Sequence, residues 1–325
     1  AENLMEEELA PLPRHELDMV TPEIAKLFRD ILKYRVDPAC EYYHVSKDHL
    51  IESLSRLNVP TVYAVDSDPD DPKYKDKGIM FDPVLQSFIQ GSGGQITTWN
   101  KVEHSMTPVV LRGITKRKEM AACRAVGRDF YYIDTGYFGN GRWKTWHRIV
   151  KNNLQHGDIV ARPDDRWKKF NKKFLPWRKT GRDILLAAPD EKPCKFYGID
   201  LETWIAETVH TIKQHTDRPV VVRRRAQQRI DRIQNNTLEQ ALDNVFALVT
   251  FNSVAATESI FLGIPAFTLA PSNAASPVAL QDLTQIETPY YPDSDKLHAW
   301  ACHLSYGQFH NSELANGAAM DILLS

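Results

Sequence analysis

Residues 249–265 read Val249-Thr250-Phe251-Asn252-Ser253-Val254-Ala255-Ala256-Thr257-Glu258-Ser259-Ile260-Phe261-Leu262-Gly263-Ile264-Pro265. A hydrophobic strand runs into Asn252-Ser253, a helix opening on small residues follows, and Gly263-Ile264-Pro265 turns straight into a further strand. Small residues let another molecule approach the first turn of that helix, where unpaired N–H groups and a partial positive charge suit a phosphate. Glu258, about one and a half turns in, could reach a ribose hydroxyl pair. Asn252 and Ser253 fit ordinary helix caps equally well, with the small residues serving close helix–sheet packing.

The same alternation extends outward. Ile184-Leu185-Leu186-Ala187-Ala188 reads as a buried strand, 201–215 as a helix, and Pro219-Val220-Val221-Val222-Arg223 as a strand. Residues 237–244 then read as a helix, 246–251 as a strand, 254–262 as a helix and 264–268 as a strand. Four strands alternating with helices predict a parallel sheet covered on both faces, with ligands at the carboxyl ends of its strands. Residues 297–309 and 313–324 are expected to form two closing helices. Toward the amino terminus, 59–65, 108–112 and 129–134 read as strands and 116–126 as a helix, again in β-α-β order. Helices are expected from Thr21 and from Ser46, behind an acidic, proline-containing arm over 1–15. Residues 141–180 lack periodicity and are expected to be loops and a connection between domains. The chain thus reads as an α/β protein of three parts: an arm with helices over 1–58, an α/β domain over 59–180, and a Rossmann-like domain with terminal helices over 181–325.

Composition narrows the class. The chain has 325 residues, 42% hydrophobic and 25% charged, which excludes a fibrous, low-complexity or mostly disordered polymer. No apolar run approaches the roughly 18 residues that span a bilayer, and the opening residues are acidic rather than signal-like, so a soluble cytoplasmic protein is expected. Cys40, Cys123, Cys194 and Cys302 have neither a disulfide-scaffold nor a zinc-ligand spacing and are expected to be buried thiols. The net charge of −2 hides a segregation: residues 1–100 hold 10 basic and 18 acidic side chains, and 239–325 hold 1 and 9. Between 141 and 182 there are 13 basic and 3 acidic residues, a field that attracts a polyanion or a phosphate-rich ligand.

Asn252-Ser253, Glu258 six residues after the Asn, and Gly263-Ile264-Pro265 together resemble the donor-binding segment of GT-B glycosyltransferases. The likeness is nearest to the capsular-polysaccharide and Kdo-transferase branch, where Asn-Ser-(Thr/Val)-x-x-x-Glu-(Ala/Ser) is followed by Gly-x-Pro. Where those relatives carry a Lys-Pro-His-Pro-like stretch near the donor phosphates, this chain has Val222-Arg223-Arg224-Arg225, which keeps the positive charge and lacks the histidine. The resemblance spans about a quarter of the chain. It implies two Rossmann-like domains in a GT-B-like arrangement and a nucleotide-sugar cosubstrate, UDP-linked, with no metal or other cofactor. It further implies that Asn252, Ser253 and Glu258 hold the donor's phosphates and ribose while Arg223 and Arg225 neutralise the leaving diphosphate. Cations aimed at that developing charge are a large catalytic contribution in any such transfer.

An inverting transfer also needs a base. Asp134, at the carboxyl end of the strand Phe130-Tyr131-Tyr132-Ile133 and before Thr135-Gly136, is one candidate, and capping that turn is its alternative role. His147, among Trp143, Trp146 and Arg148, is the second. Asp66-Ser67-Asp68 mimics a DxD metal motif, but with Pro69, Asp70, Asp71 and Pro72 it reads better as a solvated acidic turn. Gln90-Gly91-Ser92-Gly93-Gly94-Gln95 is expected to be a flexible loop.

In the basic segment, Arg142, Lys144, Arg148, Arg166, Lys168, Lys169, Lys172 and Lys173 interleave with rings that include Trp167 and Trp177. Charges that track phosphates beside rings that stack on bases are the makings of a nucleic-acid channel. The expected acceptor is therefore a hydroxymethylated base in DNA, by analogy with phage enzymes that decorate such bases and must extract them from the stack. The alternatives are a capsular or surface glycan as acceptor, or a non-catalytic nucleic-acid-binding protein with a structural Rossmann-like domain.

Overall fold

Aliphatic runs separated by amphipathic helices fold here as parallel sheets. The computed structural model of the chain describes residues 61–67, 82–140, 144–224 and 237–325. The arm and helices expected over 1–58 lie outside the described residues, as do Cys40, Asp68, Arg142, Trp143 and Arg225. The chain divides into two compact units, one of Ala1–Arg112, Lys118–Tyr131 and Ser312–Ser325, the other of Gly113–Arg117 and Tyr132–Asn311.

The first unit contains strands β1 (Tyr63–Val65), β2 (Gln95–Thr97) and β3 (Val109–Arg112), parallel, with β1 central and Tyr63 opposite both Gln95 and Val109. The helix Pro83–Ser92 follows β1. Its Asp82 cap accepts from the Val84 N–H at 2.9 Å, and Pro83 takes the first helical position, where no N–H is needed. Gly93, at φ 71°, closes that helix in the left-handed conformation that only glycine adopts without strain, and Gln95 then begins β2. The stretch 90–95 is accordingly a helix end and a strand start, not a flexible loop. Asp82 also pairs with Arg112, so Asp82→Ala should lower stability by about 1–2 kcal/mol in urea denaturation, more than a lone cap would.

In the second unit, β4 (Phe130–Thr135, from Tyr132 onward), β5 (Trp146–Lys151) and β10 (Gln308–His310) lie side by side, and β10 runs antiparallel to β5 with Phe309 opposite His147. Neither β5 nor β10 is legible as a strand in the sequence. Trp146-His147-Arg148-Ile149-Val150 is buried from His147 to Val150 with two polar residues inside, which erases any hydrophobic alternation. The expected helix over 297–309 is instead Ser294–Tyr306, which ends at Gly307 and gives its last residues to β10.

The other sheet of this unit holds β6 (Asp183–Ala187), β7 (Val220–Arg223), β8 (Val245–Thr250) and β9 (Ala266–Thr268), all parallel, in the order β7-β6-β8-β9. Its side chains alternate between faces as a strand must. Leu185, Ala187, Leu248 and Ala266 pack with Ala256, Ile260, Phe261 and Trp300 on one face. Ile184, Leu186, Ala247, Val249 and Phe267 pack with Ile205, Ile212, Leu283 and Ile286 on the other. The parallel sheet with both faces covered is therefore as the sequence predicts. Each large aliphatic side chain buried this way contributes roughly 1.5–3 kcal/mol. The helix Leu201–Lys213 starts at Asp200, which accepts from Thr203 N–H at 2.9 Å. The helix Glu191–Tyr197 before it is not predicted by the sequence.

Candidate functional site

Because β6 lies between β7 and β8, the chain leaves it in one direction through the helices Glu191–Tyr197 and Leu201–Lys213 and returns on its other side. The helix Leu201–Lys213 contributes Ile205 and Ile212 to one face, whereas Ala255–Phe261, after β8, contributes Ala256 and Ile260 to the opposite face. Connections diverging from neighbouring parallel strands open a crevice at their carboxyl ends, the usual ligand position in open α/β sheets. Ala187-Ala188-Pro189 after β6, Arg223 at the end of β7 and Phe251-Asn252-Ser253 after β8 stand there. Thr250 Oγ1 ties the floor together by donating to the Ala187 carbonyl at 3.0 Å.

The Asn252-Ser253 turn is braced from outside. Gln155, which is 3% exposed, donates to the Asn252 carbonyl at 2.7 Å and accepts from the Ala274 N–H at 2.9 Å. Asn273 donates to the Ser253 carbonyl at 3.3 Å. Ser253 Oγ accepts from the Ala255 N–H at 3.1 Å, so this side chain caps the helix start, while the Asn252 amide makes no hydrogen bond among the described residues. Gln155 has no signal in the sequence: a lone glutamine between an asparagine pair and a histidine has no motif, and only its burial marks it.

Charges of both signs meet beside this turn. Glu258 is exposed, yet partial desolvation at the helix surface raises its carboxyl from its ordinary value, with Lys172 and Arg223 pulling the other way and Glu239 reinforcing the rise. The Lys172 ammonium lies 4.7 Å from the centroid of Phe261, one turn beyond Glu258 on the same helix. Glu258, Arg223 and Lys172 come from three separate segments. Two of them are predicted donor-site residues; Lys172 is predicted as part of the nucleic-acid stripe. Arg224, next to Arg223, is exposed and pairs with Glu202.

The two candidates for the base occupy a different place. Asp134 accepts from the Tyr132 hydroxyl at 2.6 Å, the Thr135 N–H at 2.7 Å and Arg148 Nη2 at 3.2 Å. A carboxylate with three donors is an anchor, and it raises the Tyr132 phenol further above its ordinary value, already lifted by burial. His147 is 3% exposed in β5, with Nε2 at 2.8 Å from Asn311 Oδ1. Arg148 donates to the carbonyls of Thr135 at 2.6 Å and Leu154 at 3.1 Å as well as to Asp134. Beside it, the Tyr137 hydroxyl and His156 Nδ1 are 2.8 Å apart, and the His156 and His303 rings meet edge to face.

This histidine pair gives a pH dependence. Burial, then His303, Arg148 and Arg162, push His156 down to about 3, and burial pushes His303 down as well. In the unfolded chain both titrate near 6.5. Below that value the unfolded state binds more protons than the folded one, so stability is full above pH 6.5 and is lost as pH falls toward 3. Between pH 6.5 and 5, before the carboxylates titrate, each unit should cost up to about 1.4 kcal/mol per histidine in denaturant titrations. His156→Gln should flatten that slope, and an unchanged slope would contradict the assignment.

The basic segment divides in two. Arg148 and Arg166 are 7% and 5% exposed, and Arg166 donates to the Ser305 and Gln308 carbonyls at 2.9 and 2.8 Å. Trp167, 8% exposed, stacks on Phe261 at 5.7 Å, and the Trp177 indole N–H donates to the Pro292 carbonyl at 2.9 Å. Arg148, Arg166 and Trp167, predicted to face a nucleic acid, are built into the interior of the unit because their polar atoms and rings find internal partners, and Trp177 is half-buried with its indole N–H already engaged. Lys144, Lys168, Lys169, Lys172 and Lys173 are exposed, and Lys168 pairs with Asp164.

Among the described residues, Cys123, Cys194 and Cys302 are buried free thiols, and no group of three or more His, Cys, Asp or Glu side chains is placed to hold a metal ion. No described helix is long and apolar enough to cross a membrane. No family model and no curated protein matches the chain. Solved structures that match include Thermosulfurimonas dismutans KpsC, the beta-Kdo 2,4-transferase, at 11% identity over 75% of this chain and 90% of that one, with a TM-score of 0.44. The beta-Kdo 2,7-transferase of the same protein matches at 12% identity over 74% of this chain and 89% of that one, with a TM-score of 0.42.

Proposed function

We propose that the protein is a glycosyltransferase that binds a nucleotide sugar at the carboxyl ends of β6, β7 and β8 and transfers the sugar to a hydroxyl group. The observation that supports this most is that Asn252 follows β8 and Arg223 ends β7 at the carboxyl ends of parallel strands whose connections diverge, with the Arg223 charge acting on Glu258. In this reading Glu258 accepts from the ribose hydroxyls, the Asn252 amide meets a phosphate, and Arg223 neutralises the leaving diphosphate, with Arg225 in the same role. The bond between the sugar and the phosphate oxygen breaks, its electrons pass to the diphosphate, the acceptor oxygen bonds to the anomeric carbon, and the hydroxyl proton it gives up is taken by the released diphosphate or by water. Asp134 and His147 hold structure in this account and do not serve as the base.

The acceptor we favour is a hydroxyl of an anionic glycan. Base extraction from DNA needs rings that can stack or wedge, and Trp167 and Trp177 are engaged internally. The exposed lysines suit an anionic chain without them. DNA remains a distinct outcome: affinity for duplex falling with a log–log salt slope near roughly −4 to −5, and flattened by replacing Lys168, Lys169 and Lys173 together, would restore it.

A panel of nucleotide sugars followed by thermal unfolding tests the donor. One donor, at about 100 times its dissociation constant, should add about 2.7 kcal/mol of stability. Glu258→Ala should reduce that gain without lowering the stability of the free protein. No shift with any donor would overturn the proposal.

A further inference from the structure

Residues 171–178 have no regular secondary structure, yet they are fastened to the helix that carries Glu258. The Leu175 N–H donates to the Phe261 carbonyl at 2.9 Å, and the Arg178 N–H to the Gly263 carbonyl at 2.7 Å. Gly263, at φ 75°, leaves no space for a side chain, since a Cβ would lie 2.2 Å from the Pro176 carbonyl oxygen. Phe174 stacks on Phe261 at 4.8 Å, behind Trp167. A surface lysine normally samples many rotamers; here the strap brings Lys172 over the Phe261 ring, on the helix face that Glu258 shares.

We propose that Lys172 is a donor-site residue, held by the 171–178 strap so that its ammonium, together with Arg223, contacts the phosphates of the bound nucleotide. This rests on the donor reading above. An ammonium held over a ring by a pinned strap is already positioned, so it meets a phosphate with less loss of side-chain freedom than a lysine that samples many rotamers. It also approaches from the loop side of the helix, whereas Arg223 approaches from the strand end, so a phosphate between them is neutralised from two directions. The strap explains why a segment rich in lysine is pinned by backbone bonds and stacked rings instead of trailing in solvent.

Calorimetric titration of UDP, GDP, ADP, TDP and CMP into the wild-type chain identifies the nucleotide bound, and the matching nucleoside without phosphate is titrated beside it. Lys172→Ala should weaken the phosphorylated ligand roughly 10- to 100-fold, the loss expected for one charge-assisted contact, and leave the nucleoside unchanged. Lys172→Arg should restore most of the affinity, and Lys213→Ala, a lysine at the amino ends of the strands, should have no effect. If the wild type binds a nucleotide and Lys172→Ala binds it equally well, the assignment of Lys172 fails and the donor site stands. If Lys172→Ala weakens nucleotide and nucleoside alike, Lys172 supports the fold of the site and not the phosphates. If the wild type binds none of the five, both readings fall.

Discussion

Arg148→Ala is expected to lower the unfolding free energy by about 3 kcal/mol, because it leaves the half-buried Asp134 carboxylate and two carbonyls without their donor. The side chain of Arg148 is 9% exposed and ends on Asp134, Thr135 O and Leu154 O. Burial works against its charge, and Asp134 with the Tyr137 and Tyr132 phenols more than restores it. Asp134, at 37% exposure, keeps access to water, which holds the cost near the lower end of what breaking a buried pair brings. Urea titration should show the midpoint shifted with an unchanged slope. Arg148→Lys should recover only part of the loss, since an ammonium cannot reproduce the planar fork that reaches three acceptors. The same network decides the role of Asp134. Asp134→Asn should lose stability and keep turnover per folded molecule; loss of turnover at full stability would return Asp134 to the position of a base.

Arg223→Ala should reduce kcat by about 10²–10³-fold with a much smaller change in donor affinity, because charge on the leaving diphosphate grows toward the transition state. Arg223 ends β7 opposite Ala187 of β6, so its backbone is fixed by the sheet and its side chain starts from the crevice rim. A raised KM with unaltered kcat would show that Arg223 holds the donor equally in ground and transition states. Arg224→Ala, which removes only an exposed pair with Glu202, should leave stability and rate close to those of the wild type.

The four-stranded sheet was legible because strands buried on both faces are continuous aliphatic runs, as in Ile184–Ala187 and Val245–Val249, and helices of ordinary length separate them. Asn252, Ser253 and Glu258 were legible as a group because one strand–helix turn carries all three. Strand β5 was hidden: His147 and Arg148 look like surface residues in sequence, and only Asn311, Asp134 and the carbonyls that receive them make their burial tolerable. The rings of the basic segment misled for the converse reason. Aromatic residues scattered among lysines look exposed until a loop without periodicity folds them onto Phe261 and Pro292. Lys172 and Gln155 join the site through that loop and through a buried brace, and no local pattern foretells a contact between segments so far apart in the chain.

The proposed donor position lies at the carboxyl ends of β6, β7 and β8. Photocrosslinking with an azido-substituted nucleotide sugar, followed by peptide mapping, tests it most directly. The opposite end of the same sheet also carries a cleft, of about 1180 Å³, lined by residues that include Arg182, Lys213, His215 and Arg218. Label on the peptides that hold Phe251–Phe261 and Arg223, suppressed by excess unmodified donor and by Glu258→Ala, is the predicted result. Label on the Lys213–Arg218 peptide, competed by the same donor and indifferent to Glu258→Ala, would contradict it.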